Sequence, residues 1–162
     1  MRITWNELTV RFDPTKADAF LNDWRWLIGN DVNLVLVSAL GDLFLKDRDG
    51  HILWLDTGSA RLTRIAESAD EFKQLMQQTE HADEWFTPQL IGDLIEGGTR
   101  LAPGQCYSYK VPPMLSGKFE LDNFEPTDLL VHCSTCGQIG RQIQNLPEGT
   151  KIHRIRTTEE PE

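Results

Sequence analysis

The sequence predicts an α+β domain with a mostly antiparallel central sheet and helices packed around it. Three observations carry this expectation. Residues 41–62, GDLFLKDRDGHILWLDTGSARL, set two apolar runs, Leu43-Phe44-Leu45 and Ile52-Leu53-Trp54-Leu55, on either side of an Asp49-Gly50 turn. Gly50 can take the positive φ that closes such a loop, so the stretch reads as a β-hairpin. Arg61-Leu62-Thr63-Arg64-Ile65 then alternates with period two, as a third strand does. Capped segments with helical spacing flank these strands, and the central connections are too short for the crossovers that parallel strands require.

In chain order, Thr9 to Phe12 reads as a brief extended segment. Asp13 caps a helix over residues 14–27 with Pro14 at its first position, where the missing amide does no harm. Phe20, Leu21, Trp24 and Leu27 share one face of that helix, and Gly29 ends it. Residues 32–38, VNLVLVS, are dense in β-branched and aliphatic side chains, which predicts a strand buried on both faces beside the hairpin. Ser68-Ala69-Asp70-Glu71 has the form of a capping box, with Glu71 reaching back to the cap amide. The helix it opens, residues 69–78, buries Phe72, Leu75 and Met76.

Residues 81–86 are expected as a helix or turn anchored by Trp85 and Phe86. Thr87-Pro88 restarts a helix with Leu90, Ile91, Leu94 and Ile95 on one face, until Gly97-Gly98 stops it. Residues 105–111 alternate as a strand, which Pro112-Pro113 ends because proline cannot donate to a ladder. Residues 114–122 read as loop with some strand, and residues 127–132, TDLLVH, as a strand. Ser134 then caps a helix running through Ile139 and Ile143 to Leu146, stopped by Pro147-Glu148-Gly149. Residues 151–156 are expected to form an edge strand and residues 157–162 a frayed charged tail.

At 162 residues, the chain is expected to form one domain, with roughly 70% of its unfolded surface buried. Sixteen Lys and Arg stand against 25 Asp and Glu, a formal net charge of −9. That balance opposes a surface that neutralises phosphates, so direct nucleic-acid binding is not expected, and it favours solubility or a basic partner. The N-terminal residues lack the apolar run of a secretory signal, and no stretch approaches the roughly 20 apolar residues of a membrane span. A soluble cytoplasmic protein is the expectation, and three cysteines, an odd number, fit a reducing compartment.

Cys133-Ser134-Thr135-Cys136, together with Cys106 and either His132 or His153, would suffice chemically for a zinc tetrahedron, but no second paired knuckle accompanies it. A redox reading places Cys136 in a first helical turn, where the dipole would lower its pKa, though the βαβ setting of such motifs is missing. Packing of small apolar thiols at a strand-to-helix corner is the simpler account. Asp47-Arg48-Asp49-Gly50 is only part of a calcium loop and lacks its distal glutamate, so turn chemistry explains it better. No hydrolase elbow, phosphate loop, zinc-protease motif or dinucleotide fingerprint is present, so no catalytic residue, metal or cofactor is assigned and the protein is expected not to be an enzyme. Trp24 and Trp85 have core spacing, whereas Trp26 lies off the apolar face of its helix as an anchor for a partner.

The stretches GDLFLKDRDGHILWLDTGSARL, ADEWFTPQLIGDLI, LAPGQCYSYKVPPMLSGKFELDNFEPTDLLVH and GQIGRQIQNLPEGTKI resemble the C-terminal domain family of immunity proteins that neutralise type VI secretion DNase effectors. The resemblance spans residues 41–75 and 82–152, and PGQCYSYKVPPMLSGKFE is its most specific part. Residues 1–40 look like the GAD-like portion that precedes that domain, and the hairpin-helix arrangement is similar to the wider SUKH immunity superfamily. The division implied is residues 1–40 and 41–156 within one domain of residues 1–162.

The resemblance implies a non-catalytic protein that binds and blocks a cognate toxin, with a basic nuclease as the toxin. Asp42, Asp47, Asp49 and Asp56 at the hairpin turns, together with Trp26, are the residues expected to meet it. The alternatives are a stand-alone regulatory binding module and a small zinc- or redox-active protein using Cys106, Cys133 and Cys136.

Overall fold

The structure, a computed structural model, describes residues 2–147 and 149–158. Leu43, Phe44 and Leu45 each have no exposed surface, because their strand, β2 (Leu43–Lys46), is covered on both faces. It lies within a four-stranded antiparallel sheet ordered β1-β2-β3-β4, with β1 Asn33–Val37, β3 Ile52–Asp56 and β4 Arg61–Ala66. The hairpin forms in the expected register, Leu43 opposite Leu55 and Lys46 opposite Ile52, and Gly50 closes it at φ +88°. The expected α+β architecture is therefore the observed one.

Strand alternation divides the core in two. Phe44, Ile52 and Trp54 face one cluster and Leu43, Leu45, Leu53 and Leu55 the other. The first cluster is closed by α4 (Ala69–Met76), α5 (Thr79–Phe86) and α6 (Pro88–Glu96), through Phe72, Trp85, Phe86, Ile91 and Leu94. Phe44 stacks on Phe86 at 5.1 Å and packs on Phe72 at 5.3 Å, an offset aromatic group that fills the space beneath the helices. The second cluster is closed by the N-terminal helical segment and by α7 (Leu129–Ile143).

The N-terminal segment departs from its expected form in two ways. A short helix, α1 (Trp5–Leu8), precedes it, held by a capping box between Thr4 and Glu7 that the TWNE sequence encodes. Residues 14–28 are helical, but as α2 (Ala17–Leu21) and α3 (Arg25–Ile28) joined and preceded by tight three-residue turns. Asp13 caps the segment at the Thr15 amide, 3.0 Å, and Gly29 ends it at φ +75°, as expected. At α4, Ser68 Oγ accepts from the Glu71 amide, while Glu71 Oε1 accepts from the amide of Glu67 instead of Ser68.

Four further expectations are corrected. Strand β1 is an edge strand of the four-stranded sheet with Asn33 and Val35 in solvent, not a strand buried on both faces; its far side is met only at its end, where the Val10 amide donates to Val37 O at 2.9 Å. β5 (Gln105–Tyr109) and β6 (Phe124–Asp128) form a second, two-stranded sheet, tied to the first where the Tyr107 amide donates to Ala39 O at 2.7 Å. Residues 129–132 belong to helix α7 and not to a strand: the Asp128 carboxylate caps that helix at the Val131 amide, 3.1 Å, so Ser134 is an interior residue. Residues 151–158 form no strand. They run beside α7, where Gln138 and Gln142 bond the backbone of Thr158 and Arg156. Tail residues 159–162 and Glu148 of the expected stop signal lie outside the described residues.

Helix α7 approaches the turn at residues 22–24 so closely that a Cβ at Gly137 would sit 2.6 Å from Asp23 O. The Trp26 indole N–H bridges the same joint, donating to Asp23 O at 3.0 Å and Gly137 O at 3.1 Å. A Gly137→Ala substitution drives a methyl group into backbone, and overpacking of this kind costs about 1–3 kcal/mol. The variant is expected to lose about 2 kcal/mol in urea denaturation. A loss below about 0.5 kcal/mol would contradict the close contact.

Candidate functional site

Two places in the molecule concentrate chemistry: a buried polar chain beneath α7 and an acidic groove on the opposite helical layer. The chain begins at the turn joining β1 to β2, where the Gly41 amide donates to Ser38 O at 2.8 Å and Asp42 points inward, 4% exposed. Asp42 Oδ1 accepts from the Thr57 amide and hydroxyl, each at 3.0 Å, and Oδ2 from the Trp54 indole at 3.3 Å. Thr57 Oγ1 lies 2.9 Å from His132 Nε2, and His132 Nδ1 lies 2.6 Å from Ser108 Oγ. One proton arrangement is consistent with the contacts of the two hydroxyls and the ring: Thr57 donates to Asp42, the Nε2 proton of His132 to Thr57, and the Ser108 hydroxyl to Nδ1. The ring is packed so tightly that a Cβ at Gly41, which has φ +80°, would lie 2.5 Å from it.

Burial governs the charge states here. Removal from water, with the Asp56 carboxylate adding to it, raises the Asp42 pKa to about 8, against the pull of three donors. Burial likewise lowers His132 to about 4, so the imidazole is neutral at physiological pH. The chain is fully enclosed by protein on the Asp42 side and meets a small cavity of about 300 Å3 only at Ser108 and His132. It joins four elements and has the character of a core fastening.

The three cysteines are free and buried. Burial pushes Cys106 and Cys133 well above the ordinary thiol range and Cys136 up to about 12. Cys136 stands in the middle of α7, not in its first turn, so the helix dipole does not activate it. Cys136 Sγ is 3.9 Å from His132 Nδ1, yet the thiols and His132 do not converge as a metal cluster among the described residues, and His153 is exposed in the C-terminal segment.

Asp47, Asp49 and His51 do bring ligand atoms within 4.8 Å of one another. Asp47, however, is engaged by its own turn, accepting from the amides of Asp49 and His51 at 3.0 and 2.9 Å, with His51 Nδ1 at 2.9 Å. Of the residues expected to meet a partner, Asp49 is exposed, Asp47 and Asp56 are half-buried, and Asp56 accepts from the Ser59 amide at 3.3 Å. Asp42 is buried and so does not reach the surface. Trp26 is half-buried and stacked on Trp24 at 5.9 Å.

The second place was not legible as a site in the sequence. Helix α6 and residues 119–122 bound a groove of about 930 Å3. Its rim carries Asp83, Asp93, Glu120 and Asp122, and no Lys or Arg lines it. Phe119 and Leu121 project there, 52% and 47% exposed, although large apolar side chains ordinarily seek the core. Phe119 is held edge-on against Phe124 at 5.4 Å. Thr87, at the junction of α5 and α6, takes a left-handed backbone at φ +44°, and its buried hydroxyl has no partner among the described residues.

Part of the chain is similar to a known family. Residues 66–140 match the family described as T6SS immunity protein Tdi1, C-terminal. The sequence resemblance to type VI immunity proteins is thereby borne out over that segment, which holds the whole groove and α7 through Gly140, while the hairpin at residues 41–62 lies outside it. No curated protein matches the chain. Among solved structures, the crystal structure of Atu4351 from Agrobacterium tumefaciens is similar in fold, with a TM-score of 0.54 at 19% identity. The alignment covers 80% of this chain and 66% of that one, so this chain spans just under two thirds of its length.

The shifted pKa values give the stability a defined pH dependence. The unfolded chain releases the Asp42 proton near 3.8, whereas the folded chain holds it to about 8, so folding takes up a proton between those values and stability falls as pH rises. His132 has the opposite sign between about 4 and 6.5, where the unfolded ring is protonated and the folded one is not. The two oppose one another below pH 6.5, and Asp42 acts alone above it. Stability is expected to fall by up to about 2 kcal/mol from pH 6.5 to 8. Asp42→Asn, weaker at every pH, should flatten that window in thermal melts; an unchanged slope would show that Asp42 is ionised throughout.

Proposed function

We propose that this chain is an immunity-type binding protein that neutralises a cognate protein toxin by stoichiometric association, without catalysis. The match of residues 66–140 to the immunity family carries the reading. The net charge of −9 supports its finer form, in which the toxin is a nuclease. A nuclease presents basic groups to phosphate, so an acidic inhibitor is drawn onto it rapidly and covers those groups. The reading keeps residues 1–162 as one domain, residues 1–40 as a GAD-like portion and 41–156 as the immunity-type portion, acting in the cytoplasm. Asp47, Asp49 and Asp56 add to its acidic surface, whereas buried Asp42 and half-buried Trp26 hold the frame behind it.

The metal and redox alternative is disfavoured by the cysteines, whose burial keeps them protonated and out of reach of solvent. Likewise, Ser108 and His132 make the contact of a nucleophile and its base at the edge of the cavity of about 300 Å3, yet both are buried and the other ring nitrogen of His132 is committed to Thr57.

Co-expression with the toxin encoded beside its gene should restore growth of the host. In solution, an equimolar amount should abolish nuclease activity and a tenth of that amount should leave about 90% of it, as stoichiometric binding demands. Full protection at one tenth would indicate a catalytic inhibitor. Failure to protect, with no complex at micromolar concentration, would end the immunity reading.

A further inference from the structure

We infer that the groove between α6 and residues 119–122 is the docking site for a basic segment of the partner, one that carries an apolar anchor between lysines or arginines. The inference rests on the immunity reading for the existence of a protein partner, and on the groove itself for where and how it binds.

Three independent features converge there. The first is shape with apolar content: a concavity of about 930 Å3 into which Leu90, Phe119 and Leu121 project. Phe119 and Leu121 are two of only six large apolar side chains exposed among the described residues, and they lie two positions apart at one site. Phe119 is not a loose side chain, because Phe124 and Tyr109 hold it at 5.4 and 6.4 Å. A pre-positioned aromatic with half its surface in water is the form an interface anchor takes.

The second feature is charge. Asp83, Asp93, Glu120 and Asp122 surround the apolar floor, and none is ion-paired among the described residues. Only Asp93 has a side-chain partner, Gln89 at 2.9 Å. The hairpin carries no comparable cluster: Asp47 is engaged by its own turn and by His51, Arg48 beside it pairs with Asp31 at 2.9 Å, and Asp49 is a single exposed acid. Four carboxylates around one groove, with no lysine or arginine among its described lining residues, set up a negative potential that favours a cationic occupant. An apolar centre ringed by charge is also the layout of protein interfaces, in which the rim steers and the centre holds.

The third feature is strain at the floor. Thr87 takes a left-handed conformation that a β-branched residue rarely adopts, and its hydroxyl is buried without a partner. Such a residue persists only where its surroundings enforce it, which marks the α5–α6 junction beneath the groove as a pre-formed, constrained element. All the groove residues lie within residues 66–140, the segment that matches the immunity family.

The test uses the full chain and a catalytically inactive form of the nuclease encoded beside its gene, with affinity measured by calorimetry at 50 and 500 mM salt. Phe119→Ala with Leu121→Ala, and separately Asp83→Lys with Asp122→Lys, should each weaken binding at least about tenfold. The lysine variant should also lose most of the salt dependence shown by the unmodified chain. Asp49→Lys at the hairpin should change affinity less than about threefold. These positions are exposed, and matching thermal melts establish that each variant folds. Unmodified binding by both groove variants would overturn the inference while leaving the immunity reading intact. Absence of binding by the unmodified chain would overturn both.

Discussion

A histidine ring held inside the core, with a hydroxyl at each nitrogen, is the constraint on which the rest of this structure depends. Placing an imidazole where water cannot reach it is costly unless both nitrogens are bonded. Thr57 and Ser108 meet that requirement from different sheets, and Asp42 completes the chain from the β1–β2 turn. One side chain of α7 therefore sets the position of the helix against both sheets at once. The tight turn at residues 38–42 follows from the same demand, since any side chain at Gly41 would strike the ring. A dry hydrophobic contact would permit sliding; hydrogen bonds at fixed angles do not.

That fastening leaves the two helical layers with different tasks. The layer of α7 and the N-terminal segment is joined backbone to backbone through Gly137 and Trp26 and closes the core. The layer of α4 to α6 rests on the aromatic group around Phe44 and ends, beyond α6, in the acidic groove. The rigid side supports the molecule, and the other side exposes apolar surface ringed by carboxylates. On the proposed reading, in which the chain acts by binding, such a division is economical: pre-formed contacts order little on association and so lose little affinity to entropy.

The legible parts of the sequence were those whose signals are local. Gly50, the alternation of residues 61–65, Asp13 before Pro14 and Ser68 before a helical run each act within a few residues, and the structure keeps them all. The misread parts were decided by distant partners. VNLVLVS has the composition of a doubly covered strand, yet it is the edge of its sheet, met on its far side only by residues 9 and 10 at its end, and Asn33 and Val35 meet water. TDLLVH has strand-like residues, but Asp128 caps a helix, and Leu129, Cys133 and Cys136 with Gly137 and Gly140 repeat at helical spacing. That repeat was readable once Asp128 was weighed as a cap. The Asp42 carboxylate looked like a surface turn residue because it follows Gly41 at a turn before the first hairpin strand; only the fold reveals the three donors that draw it inward. The groove had no local signature, since Asp83, Asp93 and residues 119–122 come together only through packing of α6 against the loop before β6.

The central claim is that this chain works by offering its acidic groove to a basic protein partner. Amide hydrogen exchange of the chain, alone and bound to the inactive nuclease encoded beside its gene, tests it most directly. The account predicts slowed exchange concentrated in residues 83–93 and 117–123, with the hairpin at residues 41–62 unchanged. Protection confined to the hairpin, with the groove exchanging as in the free chain, would contradict it.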